Sequence, residues 1–252
     1  MKLRYGSVNV AQITLMLLCG IIIAGLSGCK AEEGAGAGFI DKSDMAKDPS
    51  LPFHRVWVKP GLDKSKYTKV YIAPVNTSYM LKMTEWQQGV RKDEIEQDVA
   101  KLAGFTQETI KKAFREDPNH RLQVVDEPGN SADTMIVEVA LIEVVPSKVV
   151  LNALGYTPFY IGLTLNAVRT VAKDVSTTAF EARIRDAATG EVIAKMADRE
   201  SQQVAIVSVR GLTWYGHAET NIKQWAEQFV KIANRKPGEM VKDTDTFTLM
   251  PW

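Results

Sequence analysis

Between Thr134 and Val145 the chain carries apolar side chains on both faces of one extended stretch. Met135, Val137, Val139 and Leu141 fall on one side. Ile136, Ala140, Ile142 and Val144 fall on the other, with Glu138 and Glu143 intervening. A strand with one wet face alternates apolar and polar; one apolar on both faces is central and covered, at least in part, on both sides. The fold must therefore be a sheet with this strand inside it, and the other elements must supply its neighbours and its cover.

The neighbours are readable. Lys69 to Val75 is rich in β-branched and aromatic residues and reads as a strand, with Pro74 near its end or on an edge. A helical stretch runs from about Glu85 to Arg115, its stripe marked by Ile95, Val99 and Leu102. Gly104 suggests a break, Thr106 a cap for a second segment, and Phe105 with Ile110 a hydrophobic staple. The charge run from Arg91 to Asp98 reads as a solvated face. Asp117-Pro118-Asn119 ends the helix, and Arg121 to Asp126 reads as a strand. Strand, helix, strand implies a parallel pair.

Thr177 to Asp186 alternates, with Phe180, Ala182 and Ile184 on one side and Glu181, Arg183 and Arg185 on the polar side. Asp186 to Glu191 is a hairpin turn, Asp186 bonding its backbone and Gly190 taking the left-handed corner, and Val192, Ala194 and Met196 continue a paired strand. Residues 201–215 read as a connection. Ala218 to Ala233 is a final helix whose buried stripe is Ile222, Trp225, Ala226, Phe229, Ile232 and Ala233. The expected architecture is an α/β (α+β) two-layer sandwich: a mixed sheet of about five strands with two main helices.

The start of the chain concerns location. Lys2 and Arg4 precede an apolar run from Ile13 to Ile23, and Leu26-Ser27-Gly28-Cys29 follows. A basic head, a short apolar core and small residues are the layout of a secretory signal. The last four residues resemble the lipobox of bacterial lipoproteins. That resemblance implies cleavage between Gly28 and Cys29 and acylation of Cys29, which anchors the protein to membrane lipid without spanning the bilayer. The apolar core is shorter than the roughly 20 residues of a membrane span. Lys30, where sorted lipoproteins retained in the inner membrane commonly carry Asp, leans toward the outer membrane.

The resulting division is a signal peptide over 1–28, a flexible Gly/Ala tether over 29–38, one globular domain over 39–234 and a polar tail over 235–252. Residues 39–61 read as an irregular strap lying on the domain. Phe247, Leu249 and Trp252 are the tail residues that could dock. Cleavage removes Lys2, Arg4 and no acid, so 31 basic and 30 acidic residues become 29 and 30. This balance offers no footing for nucleic acid. Cys19 leaves with the signal and Cys29 carries lipid, so the mature domain keeps no thiol.

Three stretches, in order, resemble the bacterial lipoprotein family catalogued as domain of unknown function 3313. They are Val58-Lys-Pro-Gly-Leu-Asp-Lys-Ser-Lys-Tyr67 running into Val70-Tyr-Ile-Ala-Pro74; Val124-Val-Asp-Glu-Pro-Gly129; and Arg185-Asp-Ala-Ala-Thr-Gly-Glu191 with Trp214 and Gln224-Trp-Ala-Glu227. The resemblance spans about 39–234. It implies an envelope location and one domain, and brings no activity, cofactor or catalytic residue.

No metal-ligand spacing joins His54, His120 or His217, and no G-x-S-x-G elbow or phosphate-binding loop occurs. Pairing His217 with Asp198 and a serine has no motif behind it. Neither a metal nor a cofactor is expected. Val149 to Val168 carries no charge and holds the candidate partner or ligand surface: Leu154, Tyr156, Phe159, Tyr160 and Ile161. The leading expectation is a non-enzymatic accessory subunit that meets an envelope protein partner. A binding protein for a small apolar or lipid ligand comes second, and an envelope hydrolase last.

Overall fold

The computed structural model describes residues 31–80, 92–146, 175–203 and 213–243. All belong to one compact unit within Lys30–Thr244. Six strands form one sheet: β1 Arg55–Val58, β2 Lys69–Ile72, β3 Gln123–Val125, β4 Thr134–Val145, β5 Val175–Asp186 and β6 Val192–Gln203. The helices are α1 Lys92–Arg115 and α2 Gly216–Asn234, and a short 3-10 turn covers Lys64–Lys66. The strand order is β1-β6-β5-β4-β2-β3. β2 runs parallel to β3 and β4, while β4, β5, β6 and β1 are antiparallel in succession. The sheet is mixed and the fold α+β, with one strand more than expected. The extra strand is β1, inside the stretch read as irregular. Its four residues, Arg-Val-Trp-Val, are too few to show alternation but pair with Ala194–Ala197.

β4 occupies the expected central place. On one face Met135, Val137, Val139 and Leu141 join the core under both helices. On the other, Ala140 and Ile142 pack with Ala179 and Ala197 beneath Phe39, Ile40 and Met45 of the strap. Val144 departs from strict alternation. The register with β5 shifts between Leu141 and Glu143, and this irregularity turns Val144 into the helix-side core. The centre of that core is aromatic. Phe180 meets Trp225 edge-on at 4.7 Å, and Phe53 and Phe229 lie 5.5 Å from Phe180.

The expected break at Gly104 is absent: α1 runs through it without interruption. Gly104 is exposed, and Leu102, Ile110 and Phe114 bury the same helix on both sides of it. That packing outweighs the roughly 1 kcal/mol that a helical glycine costs. Thr106 does not cap a new helix; its hydroxyl donates to the Leu102 carbonyl one turn back at 2.7 Å. The connection expected over 201–215 begins later, because β6 continues to Gln203.

The turns follow their residue chemistry. Gly61 has φ 72° and Leu62 N–H donates to Lys59 O, a turn with proline at its first corner and glycine at its second. At Asp186, Oδ1 accepts from Ala188 and Thr189 N–H, while Oδ2 accepts from Lys66 Nζ and Tyr67 OH, each at 2.8 Å. Lys66, then Tyr67 and the turn backbone, hold this carboxyl well below the usual range against the opposing effect of burial. One residue thus ties the β5–β6 turn to the start of β2.

Candidate functional site

Glu181 lies on the side of β5 expected to be polar, yet it is 0% exposed. The strap makes the difference. Ala37 N–H donates to Oε1 at 3.0 Å, and Phe39 and Ile40 N–H donate to Oε2 at 3.0 and 3.2 Å. Lys42 Nζ adds an ion pair at 3.2 Å. Gly38, at φ 87°, lets consecutive amides converge on one carboxylate. Phe39 then packs against Tyr79, with the Arg183 guanidinium over its ring.

Docking continues toward the chain start. Arg55 pairs with Glu33 at 2.6 Å, Arg199 donates to Glu32 O, and His54 Nε2 lies 2.7 Å from Ala31 O. Residues 31–38 of the segment expected as a flexible tether therefore contact the sheet at several points. At the opposite end, Val241 N–H donates to Ser50 O and Arg235 reaches Ser50 Oγ, so the start of the polar tail also meets the strap.

Asp198 pairs with His54, and the pairing with His217 does not form. Its Oδ1 lies 2.6 Å from His54 Nδ1 and accepts His54 N–H, and its Oδ2 accepts Trp225 Nε1–H at 3.0 Å. With Asp198 on one nitrogen and Ala31 O on the other, the His54 ring is occupied as a structural link. A general base needs a free nitrogen within reach of a substrate proton. His217, at the start of α2, has Nε2 3.2 Å from Thr177 O. Its ring is largely enclosed, and burial pushes its pKa down to about 4, against hydrogen bonds to the Thr177 and Trp214 backbone.

The fold favours the neutral His217 ring, so its contribution is complete above the unfolded pKa near 6.5. It is lost as pH falls toward 4. Stability should drop by roughly 2–3 kcal/mol over that window, a figure reduced for partial solvent access. A His217→Leu protein should show a flatter Tm profile between pH 6.5 and 4. Parallel profiles for both proteins would refute the assignment.

A third constellation is an apolar cavity of about 150 Å³ where the two helices end over β1, β5 and β6. Phe53, Tyr67, Met135, Ile184, Met196 and Phe229 are among its walls, and almost no polar surface faces it. Lys64 and Arg121 also line it. Lys64 Nζ donates to Ala233 O at 3.2 Å and to Arg235 O, and Arg121 Nη2 donates to Lys64 O at 2.6 Å. Burial, then the Arg121 and Arg235 cations, lower the Lys64 pKa against Glu239.

Gly28, Cys29, Leu154, Tyr156, Phe159, Tyr160 and Ile161 lie outside the described residues, as do Phe247, Leu249 and Trp252. Among the described residues no group of three or more His, Cys, Asp or Glu could hold a metal ion, and no helix is long and apolar enough to cross a membrane. Sequence reasoning missed Glu181, the His54–Asp198 pair and the cavity. The strap does carry one local signal: Asp41-Lys-Ser43 and Asp48-Pro-Ser50 repeat Asp-x-Ser, and in both the carboxylate accepts the serine N–H.

A mixed sheet with helices on one face and a docked N-terminal strap on the other defines an α+β domain closed at its chain start. The chain belongs to the family described as protein of unknown function (DUF3313), whose model matches residues 37–229. No curated protein matches. Among solved structures, protein XCC0632 from Xanthomonas campestris is similar at 9% identity and TM-score 0.39, covering 70% of this chain and 91% of that one. The PelC dodecamer from Paraburkholderia phytofirmans is similar at 10% identity and TM-score 0.36, with 69% and 94% covered. Lipoprotein GNA1162 from Neisseria meningitidis is similar at 11% identity and TM-score 0.27, with 67% and 99% covered.

Proposed function

We propose that this is a lipid-anchored envelope protein acting as a non-enzymatic accessory module, held close to the membrane that carries its acylated Cys29. The observation that supports this is the docking of the chain at Ala31, two residues beyond the lipobox cysteine. Two residues span at most about 7 Å. With the strap seated on Glu181, His54 and Arg55, the sheet stays near the headgroups and presents itself to an envelope partner there. Two or more acyl chains make such an anchor stable. Lys30 favours the outer membrane, facing the periplasm. The engagement of the His54 ring by Asp198 and Ala31 O favours this reading over a hydrolase.

The test is a cross-linked pull-down from intact cells with fractionation, comparing the native protein with Cys29→Ala. The native protein should sediment with membranes and capture one stoichiometric envelope protein. Cys29→Ala, carried behind a signal peptide that is cleaved without lipidation, should leave the membrane fraction and lose most of that partner. Membrane association unchanged by Cys29→Ala would refute the anchor. No partner from either form would refute the accessory role.

A further inference from the structure

We infer that His54 is a pH-sensitive latch: its doubly protonated ring holds the anchor end of the strap, residues 31–36, on the sheet, and loss of one ring proton as pH rises frees that end. The latch stands on contacts within the domain. Its consequence for the height of the domain above a membrane rests on the lipid anchor proposed above.

Both ring nitrogens face oxygen. Nδ1 lies 2.6 Å from Asp198 Oδ1, and Nε2 lies 2.7 Å from Ala31 O. A carbonyl only accepts, so the bond to Ala31 needs a proton on Nε2. Asp198 also accepts His54 N–H on Oδ1 and the Trp225 indole N–H on Oδ2, and a carboxylate surrounded by donors is held ionised. The bond to Asp198 therefore needs a proton on Nδ1. Only the imidazolium carries both protons; a neutral ring carries one. The neutral ring keeps that proton toward the carboxylate, because hydrogen bonds to an ionised group are roughly twice as strong as neutral ones. Nε2 then turns a lone pair on Ala31 O, and the bond is lost. Arg199 N–H, 3.3 Å from Nδ1, is the weaker competitor for that nitrogen.

The charges around the ring favour the same order. Arg55 of β1 pairs with Glu33 at 2.6 Å, and Arg199 of β6 pairs with Glu143 of β4 at 2.9 Å, so both cations are offset. Lys47 donates to Phe53 O at 2.7 Å and opposes charge on the ring, whereas Asp198 is bonded to the ring itself.

Little else holds this end of the strap. The Arg55–Glu33 pair is solvent-exposed, a kind that contributes little. Arg199 reaches Glu32 O only at 3.3 Å. Residues 34–36 are Gly-Ala-Gly and offer no polar side chain. The Glu181 clamp begins at Ala37. A freed end therefore runs from Cys29 to Ala37 and spans at most about 28 Å, against about 7 Å with Ala31 docked.

The mature chain with Cys29→Ala, secreted behind a signal peptide cleaved without lipidation, is titrated by NMR from about pH 5 to about pH 8. At the acid end both His54 nitrogens should carry protons, and the ring should show contacts to Ala31. As pH rises, Nε2 should lose its proton. Residues 31–36 should then become mobile while the Ala37, Phe39 and Ile40 amides stay protected. His54→Gln should remove the pH dependence, and Asp198→Asn should move the release to lower pH. The native titration decides the latch if either variant fails to fold. Residues 31–36 equally ordered across the range, or Ala31 still docked on a neutral His54, would overturn it. Neutron reflectometry of the lipidated native protein on a supported bilayer should show the domain moving outward by up to about 20 Å over the same range. Release in solution with no outward movement would overturn the consequence for height and leave the latch standing.

Discussion

Glu181→Gln is expected to lower stability by about 3 kcal/mol and to detach the strap. The substitution removes a buried charge that accepts three backbone amides and pairs with Lys42. It also turns an amide NH₂ toward donors that then lack acceptors. Removing one partner of a buried charged network costs about 3–5 kcal/mol, and the retained carbonyl offsets part of that. For a domain of this size, Tm should fall by roughly 10 °C. Hydrogen exchange reads the mechanism directly: Ala37, Phe39 and Ile40 amides should lose protection while β4 and β5 keep theirs. A variant with unchanged Tm and unchanged exchange at those amides would show that the clamp contributes nothing.

Asp198→Ala should cost about 4 kcal/mol in denaturant unfolding, because it strands the Trp225 indole N–H and two donors of His54 in or near the core. Asp198→Asn should cost less, as its carbonyl can still accept from one of them. The link between α2 and the strap side of the sheet passes through this carboxylate. Asp198→Asn and Trp225→Phe should therefore combine non-additively, with a coupling of about 1–2 kcal/mol. Simple additivity would show that the Trp225–Asp198 contact is energetically idle.

The strands and helices were legible where a period repeats often enough to be counted. β4 reads from Thr134 to Val145 because apolar residues occupy both faces, and its two covers are present in the fold. The hairpin at Asp186–Glu191 reads because a carboxylate at its start and a glycine at its corner are what such a turn requires. β1 did not read, since four residues hold too few alternations. Gly104 misled because intrinsic propensity is local, whereas the buried residues on either side of it are held by the sheet. The clamp was hidden for a different reason. Glu181 alternates with Arg183 and Arg185 like any solvated strand face, and nothing within β5 tells which of the three will be covered.

The lipobox resemblance, the turns, the helix faces and the central strand all rest on neighbours along the chain, and so they can be read without the fold. The Glu181 clamp and the His54–Asp198 link join residues far apart in the chain. The separation from Ile40 to Glu181 is 141 residues, and from His54 to Asp198 it is 144. The cavity likewise forms only where Phe53, Met135, Met196 and Phe229 meet. Periodicity reports which side of an element is apolar. Whether a charge on the other side is buried, and whether packed side chains leave a space, are set by what folds back over them.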